Sequence, residues 1–254
     1  MPADSHGNPG TLGGLPPLRR RKERSTAGQY RRHGRKVMTR FYINRIEGMR
    51  QKLAYLAGLI GADGSLEVED PFITISSSDR DFLEKRVLPY LEAIARRKIR
   101  IFMDRSANVY KLRIYHRRLW RLLVEKYKIP CGAKSRSISP PVTLTRSEQV
   151  LCVQGWFDGE GWIEVLRTRS PKIYRYPRIG FKVRSKAIRD WIFDVLSKQG
   201  VPATTYNRAE GTFGIWINGK SACELFMRHI RFGYAKKNKA LKALVAMCRR
   251  PVSA

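Results

Sequence analysis

Apolar and polar positions along this chain follow one order of elements twice. The first pass opens with an apolar helical run from Leu53 to Ile60 that stops at Asp63-Gly64. Two short alternating stretches follow, Leu66–Val68 and Phe72–Ser76, with turn residues Asp70-Pro71 between them; they predict strands. Leu83, Val87, Leu91 and Ile94 then recur at helical spacing and predict an amphipathic helix from Asp79 to Arg96. A hairpin over Lys98–Tyr115, turning at Ser106-Ala107-Asn108, and a helix over Arg117–Tyr127 complete the unit.

The second pass repeats the order. Thr145 and Glu148 form a capping-box signature ahead of the apolar run Val150–Phe157, which stops at Glu160-Gly161. Strands are predicted at Trp162–Leu166 and Ile173–Arg184, and a helix over Lys186–Gln199. A hairpin over Thr204–Ile217 turns at Glu210-Gly211, before helices over Lys220–Ile230 and Asn238–Arg249. Each half reads αββαββα, an internal duplication. Even the following segments correspond, Gly132-Ala133-Lys134-Ser135 after one half and Tyr234-Ala235-Lys236-Lys237 after the other. The expected fold is therefore α+β, with two pseudo-symmetric repeats over residues 41–144 and 145–254.

Residues 1–40 are different in kind. Ten Lys and Arg stand there against Asp4 and Glu23, Gly and Pro crowd the first 17 positions, and no hydrophobic period is visible. Such a segment has too few apolar groups for a packed core, and reads either as a solvated tail or as a basic arm for phosphates.

Charge narrows the class of partner. The 254 residues hold 51 Lys and Arg against 21 Asp and Glu, a formal +30, and a surplus of this size answers a polyanion. No apolar run approaches the roughly 18 residues of a membrane span, so no membrane role is expected. Cys131, Cys152, Cys223 and Cys248 are widely spaced, and His6, His33, His116 and His229 form no metal motif. A zinc centre or disulfide framework is not indicated, and the expected setting is reduced, intracellular and cytoplasmic, beside the nucleoid in a prokaryote.

The two opening helices align at an offset of 160 − 63 = 97 residues. Gly58 and Ala62 then fall on Gly155 and Gly159, small residues four apart that let two helices approach backbone to backbone. Packing along these stripes would bring Asp63 and Glu160 together at one end of the seam. Two carboxylates there face mutual repulsion and the negative ends of two helix dipoles, so a cation or positive side chains between them are called for. Hard oxygen donors favour Mg²⁺, which in nucleases activates water and neutralises the leaving oxygen.

Leu56-Ala57-Gly58-Leu59-Ile60-Gly61-Ala62-Asp63-Gly64 resembles the nine-residue signature of the LAGLIDADG homing endonucleases in eight of nine letters. Val153-Gln154-Gly155-Trp156-Phe157-Asp158-Gly159-Glu160-Gly161 resembles a looser second copy. The resemblance, to the single-chain two-motif members, covers about residues 45–250. It implies motif helices at the domain interface, catalytic metals on Asp63 and Glu160, and backbone carbonyls of Ala62 and Gly159 as further ligands. It also implies two four-stranded sheets forming a saddle over double-stranded DNA, cleavage with 3′ overhangs, and an intron-encoded monomer. Mg²⁺ is the expected cofactor, with Mn²⁺ substituting and Ca²⁺ supporting binding alone. A basic residue near the scissile phosphate is implied just before the helix at Lys186, where Lys182 and Arg184 both stand. Gly61 departs from the signature's first Asp.

Strand alternation leaves cations on the face opposite the core. Lys98 and Arg100 alternate with Ile99 and Ile101; Lys111 and Arg113 with Leu112 and Ile114; Arg178, Lys182 and Arg184 with Ile179, Phe181 and Val183. A cationic sheet face can follow the major groove, where Arg and Lys read guanine. Two non-cleaving readings share this saddle, an RNA maturase and a DNA-binding regulator.

Overall fold

The computed structural model describes residues 47–134, 136–167 and 175–248. Outside them lie the expected arm at 1–40, the start of the strand expected from Ile173 and the end of the helix expected to reach Arg249.

The chain forms the expected repeat. Helix α1 covers residues 47–63 and leads directly into β1 (Gly64–Leu66) and β2 (Phe72–Ser77). Helix α2 covers residues 80–95, followed by β3 (Ile101–Asp104), β4 (Val109–Tyr115) and α3 (Arg117–Glu125). The second half runs α4 (Arg146–Glu160), β5 (Gly161–Arg167), β6 (Arg175–Val183), α5 (Lys186–Lys198), β7 (Thr204–Arg208), β8 (Thr212–Asn218) and α6 (Lys220–His229), with α7 (Ala235–Met247) added. Both sheets are antiparallel and share one topology, β1-β2-β4-β3 and β5-β6-β8-β7.

Local chemistry explains the boundaries. The Thr145 hydroxyl and the Glu148 carboxylate cap each other's backbone N–H at the start of α4, a closed capping box. Asp79 caps α2 by accepting from the Phe82 N–H at 3.2 Å. Within α2 one wide π turn spans Leu83–Val87, where the Leu88 N–H reaches the Leu83 carbonyl. Pro89 follows immediately; it has no N–H to donate and its ring crowds the preceding turn, so the helix widens rather than continuing at α pitch.

The core lies between the helices and one face of each sheet. Tyr55, Leu56, Leu59 and Ile60 of α1, Val153 and Phe157 of α4, Ile73, Ile75 and Leu112 of one sheet, and Ile179, Phe181 and Ile215 of the other are essentially inaccessible. Two polar residues of α4 that enter this core are paired, each with a partner in the first half. Asp158 accepts from the Tyr55 hydroxyl at 2.7 Å and the Tyr234 N–H at 3.1 Å. Gln154 accepts from Arg86 and donates to the carbonyls of Ile230 and Arg231. Satisfied buried groups of this kind set the register of one half against the other.

Candidate active site at the helix seam

The seam is a backbone-to-backbone contact. A Cβ built on Gly58 would fall inside contact distance of the Cys152 carbonyl, and one on Gly155 inside that of the Tyr55 carbonyl. One on Gly159 would meet the Ala62 methyl and stand 2.9 Å from Asp63 Oδ2. All four small residues of the stripes lie at the crossing. Gly61 has its own reason, since the Trp156 ring occupies the space a side chain would need, 2.6 Å from the built Cβ.

This approach brings the ends of α1 and α4 together, and with them Asp63 and Glu160. Protein packed around Asp63 displaces water and pushes its pKa up, although the carboxylate stays open to a cleft; Lys134 and Lys237 oppose that rise. Glu160 is raised by burial and then by the Asp63 charge, against Lys182, Lys134 and Lys237. The two acids therefore feel each other, and three lysines surround them.

Two of those lysines were not singled out from the sequence as site residues. Lys134 donates from Nζ to the carbonyls of Ile60 (2.5 Å) and Gly64. Lys237 donates to those of Phe157 (3.2 Å), Asp158 (2.5 Å) and Gly161 (2.7 Å). At the offset of 97 residues, Ile60 corresponds to Phe157 and Gly64 to Gly161, so each motif helix has its terminal carbonyls tied by one lysine. Burial pulls Lys134 down to about 8 and lowers Lys237 as well, while the two carboxylates favour both ammonium ions. The visible signal was the pair of Ala-Lys segments after each repeat, which alone does not say where an ammonium points.

Register separates the two basic candidates of the second half. Gly161 pairs with Phe181, so the next rung sets Glu160 beside Lys182 on the outward face. Arg184 stands past the end of β6 and lines the same cleft of about 360 Å³, with Ala62, Lys134, Glu160 and Lys182. In the first half Gly64 pairs with Ile75, so the rung of Asp63 holds Ser76, and that cleft of about 390 Å³ contains Lys237 but neither Arg nor a further Lys. The pair of clefts is asymmetric.

The cationic sheet face needs correction. Lys98 and Arg100 precede β3 instead of alternating along it. Glu92 of α2 accepts from the Ile99 N–H at 3.1 Å and pairs with Lys98 at 3.3 Å, so ladder pairing starts only at Ile101 opposite Leu112. Met103 is 39 % exposed on this edge strand. Lys111, Arg113 and Arg178 do stand on the strands, each with an acid. Lys111 meets Asp104 at 2.5 Å, Arg113 holds Glu67 through two bonds of 3.0 and 2.8 Å, and Arg178 meets Glu164 at 3.4 Å. Alternation shows which face a residue takes but not what shares that face.

Comparison with known proteins agrees with this geometry. Residues 50–127 match a family model described as a LAGLIDADG-like domain. The homing endonuclease I-ApeI of Aeropyrum pernix is 23 % identical over 201 residues, covering 76 % of this chain and 86 % of that protein. The chain is thus similar to LAGLIDADG homing endonucleases, by a domain match in its first half and a distant relative along most of its length. The fold is that of I-DmoI, whose complex with DNA and Mn superposes with a TM-score of 0.52 at 18 % identity, over 72 % of this chain and 97 % of that one. I-LtrWI bound to its target DNA gives 0.54 at 14 % identity, over 78 % and 91 %. The chain carries two four-stranded sheets on paired motif helices, the LAGLIDADG saddle fold. Among the described residues no helix is long and apolar enough to cross a membrane.

Proposed function

We propose that this LAGLIDADG protein is a monomeric, Mg²⁺-dependent endonuclease that makes a site-specific double-strand break in DNA. The observation that carries this reading is the seam itself. It holds Asp63 and Glu160 at the ends of two helices, each carboxylate made costly to charge by its surroundings.

The residues suit a hard divalent cation. Two carboxylates converge, and among the described residues no cluster of three or more His, Cys, Asp and Glu forms. Mg²⁺ suits such a set, because it takes one or two carboxylates and completes its shell with water and substrate phosphate. Asp63 and Glu160 would hold the metal, with the carbonyls of Ala62 and Gly159 available beside them. When bound, it lowers the pKa of water and offsets charge on the leaving oxygen. Lys182 stands beside Glu160, where its ammonium would face the scissile phosphate and screen the charge that develops there. Lys134 and Lys237 hold the terminal carbonyls of the motif helices, so that both carboxylates keep their positions as DNA binds. Hydrolysis of one phosphodiester at each cleft would cut both strands.

The decisive experiment incubates the full chain with Mg²⁺ and DNA carrying a candidate uninterrupted intron-insertion locus. Site-specific double-strand cuts are expected from the parent chain. Asp63→Asn and Glu160→Gln should lose them while binding the same duplex. Undiminished double-strand cutting by either variant overturns the assignment of the centre. Binding without cutting by the parent chain would instead favour a maturase or regulator on the same saddle.

A further inference from the structure

The face of the second sheet opposite the core carries rings packed over glycines, and this feature extends the proposed DNA reading. On β5–β8 the rung of Glu160 and Lys182 continues through Gly214 to Tyr206, and the next rung on the same face runs Trp162, Gly180, Trp216, Thr204. Gly180 and Gly214 are roofed by rings. A Cβ on Gly180 would run into the rings of Trp162 and Trp216, and one on Gly214 into that of Tyr206. The Tyr206 and Trp216 rings stack at 4.7 Å with planes 20° apart, and Trp162 meets Trp216 edge-on at 5.3 Å. Three rings thus form a pinned hydrocarbon ridge across the sheet. Cations border it, with the Arg178 guanidinium 4.4 Å above the Trp216 ring and Arg208 5.7 Å from that of Tyr206. On the first sheet the matching rung is Ser65, Thr74 and Arg113. That face also carries Phe72 and Tyr115, edge-on at 5.3 Å with the Arg113 guanidinium 4.1 Å from the Phe72 ring, and Phe102, so the second sheet differs in having its rings packed over glycines.

A ridge of this kind, on a face flanked by Arg178, Lys182 and Arg208, suits a duplex whose phosphates meet the cations while the rings meet apolar base edges. The apolar group that the major groove offers is the thymine C5-methyl. Resting on the endonuclease reading, we infer that Trp162, Trp216 and Tyr206 read thymine methyls in the half-site bound by β5–β8. Each ring sits over a glycine, so the ridge is fixed before DNA arrives and little side-chain freedom is lost on binding.

The test uses the full chain, a randomised duplex pool and Ca²⁺. Retained duplexes should be T·A-rich in one half. Replacing thymines there with uracil removes only methyl groups and should weaken binding about fourfold per methyl lost. Photo-crosslinking from 5-iodouracil at the penalised positions should label Trp162, Trp216 or Tyr206. In Trp216→Ala the uracil penalty should shrink; if that variant does not fold, the crosslinks on the parent chain decide. Uracil tolerated in both halves, or crosslinks confined to residues outside this ridge, overturns the inference. A pool from which no duplex is retained overturns the DNA reading itself, a distinct result.

Discussion

Lys134 and Lys237 do the same work from unlike positions in the two repeats. The first lies 74 residues beyond the Ile60 carbonyl it binds, the second 80 residues beyond that of Phe157. The motif helices align at an offset of 97 residues and the lysines at 237 − 134 = 103, so the intervening lengths diverged while the contact stayed. Each ammonium sits where a helix C-terminus concentrates negative potential and where a carboxylate adds to it.

The carboxylates give a pH dependence with a defined sign. Surroundings raise the pKa of both Asp63 and Glu160, so each is more easily neutralised than an ordinary acid. Metal binding needs the charged form, and protons compete with it as pH falls. The Mg²⁺ concentration for half-maximal cleavage should therefore rise as the pH is lowered from neutral into the acid range. A midpoint unchanged over that range would contradict ligation by these residues.

Substitutions in the seam should act on stability before they act on chemistry. Gly58→Leu or Gly155→Leu drives a side chain into a facing carbonyl, and overpacking of this kind typically costs ~1–3 kcal/mol. Thermal melting of each variant beside an exposed control such as Lys85→Ala measures it. Melting like the parent would show that the helices do not meet through these faces.

Asp79 ties the halves together from outside the seam. Its carboxylate caps α2 at Phe82 and also accepts from the Tyr234 hydroxyl and from Lys236, which hold its pKa down at about 2. A folded-state pKa below the unfolded value of roughly 3.9 adds stability above that value, lost as pH falls toward the folded one. Asp79→Asn keeps an oxygen for the cap but loses the charge that Lys236 and the Tyr234 hydroxyl meet; it should cost about 0.5 kcal/mol at neutral pH, as loss of a partly exposed ion pair does, and the gap should close in acid. Denaturant midpoints at neutral pH and at about pH 3, between the two pKa values, test both parts.

Deleting residues 1–40 removes ten cations and should weaken DNA affinity equally on specific and scrambled duplexes. Contacts of such a segment would be with phosphate, so each one lost lowers the salt slope of log affinity by about 0.9. A binding titration over salt decides. An unchanged slope makes the segment a passive tail, and a loss confined to the specific duplex means that it reads bases.

Much of this protein was determined by its sequence. The duplicated order of elements followed from hydrophobic period and turn residues, because burial of one face imposes a period of two on strands and near 3.6 on helices. The stripes of Gly58, Ala62, Gly155 and Gly159 and the acids after them were legible because close helix contact leaves few residue choices. Other features arose only from the fold. Lys134 and Lys237 reach the helix ends through segments whose path no local period dictates, and Asp104, Glu67 and Glu164 join the sheet cations through cross-strand register. Lys98 leaves its expected strand because Glu92, on a neighbouring helix, offers a nearer partner. The rings of Trp162, Trp216 and Tyr206 come from three strands and gather only because Gly180 and Gly214 leave the backbone between them bare. Period is a property of neighbours in the chain; register, pairing and the roof over a glycine are properties of neighbours in space.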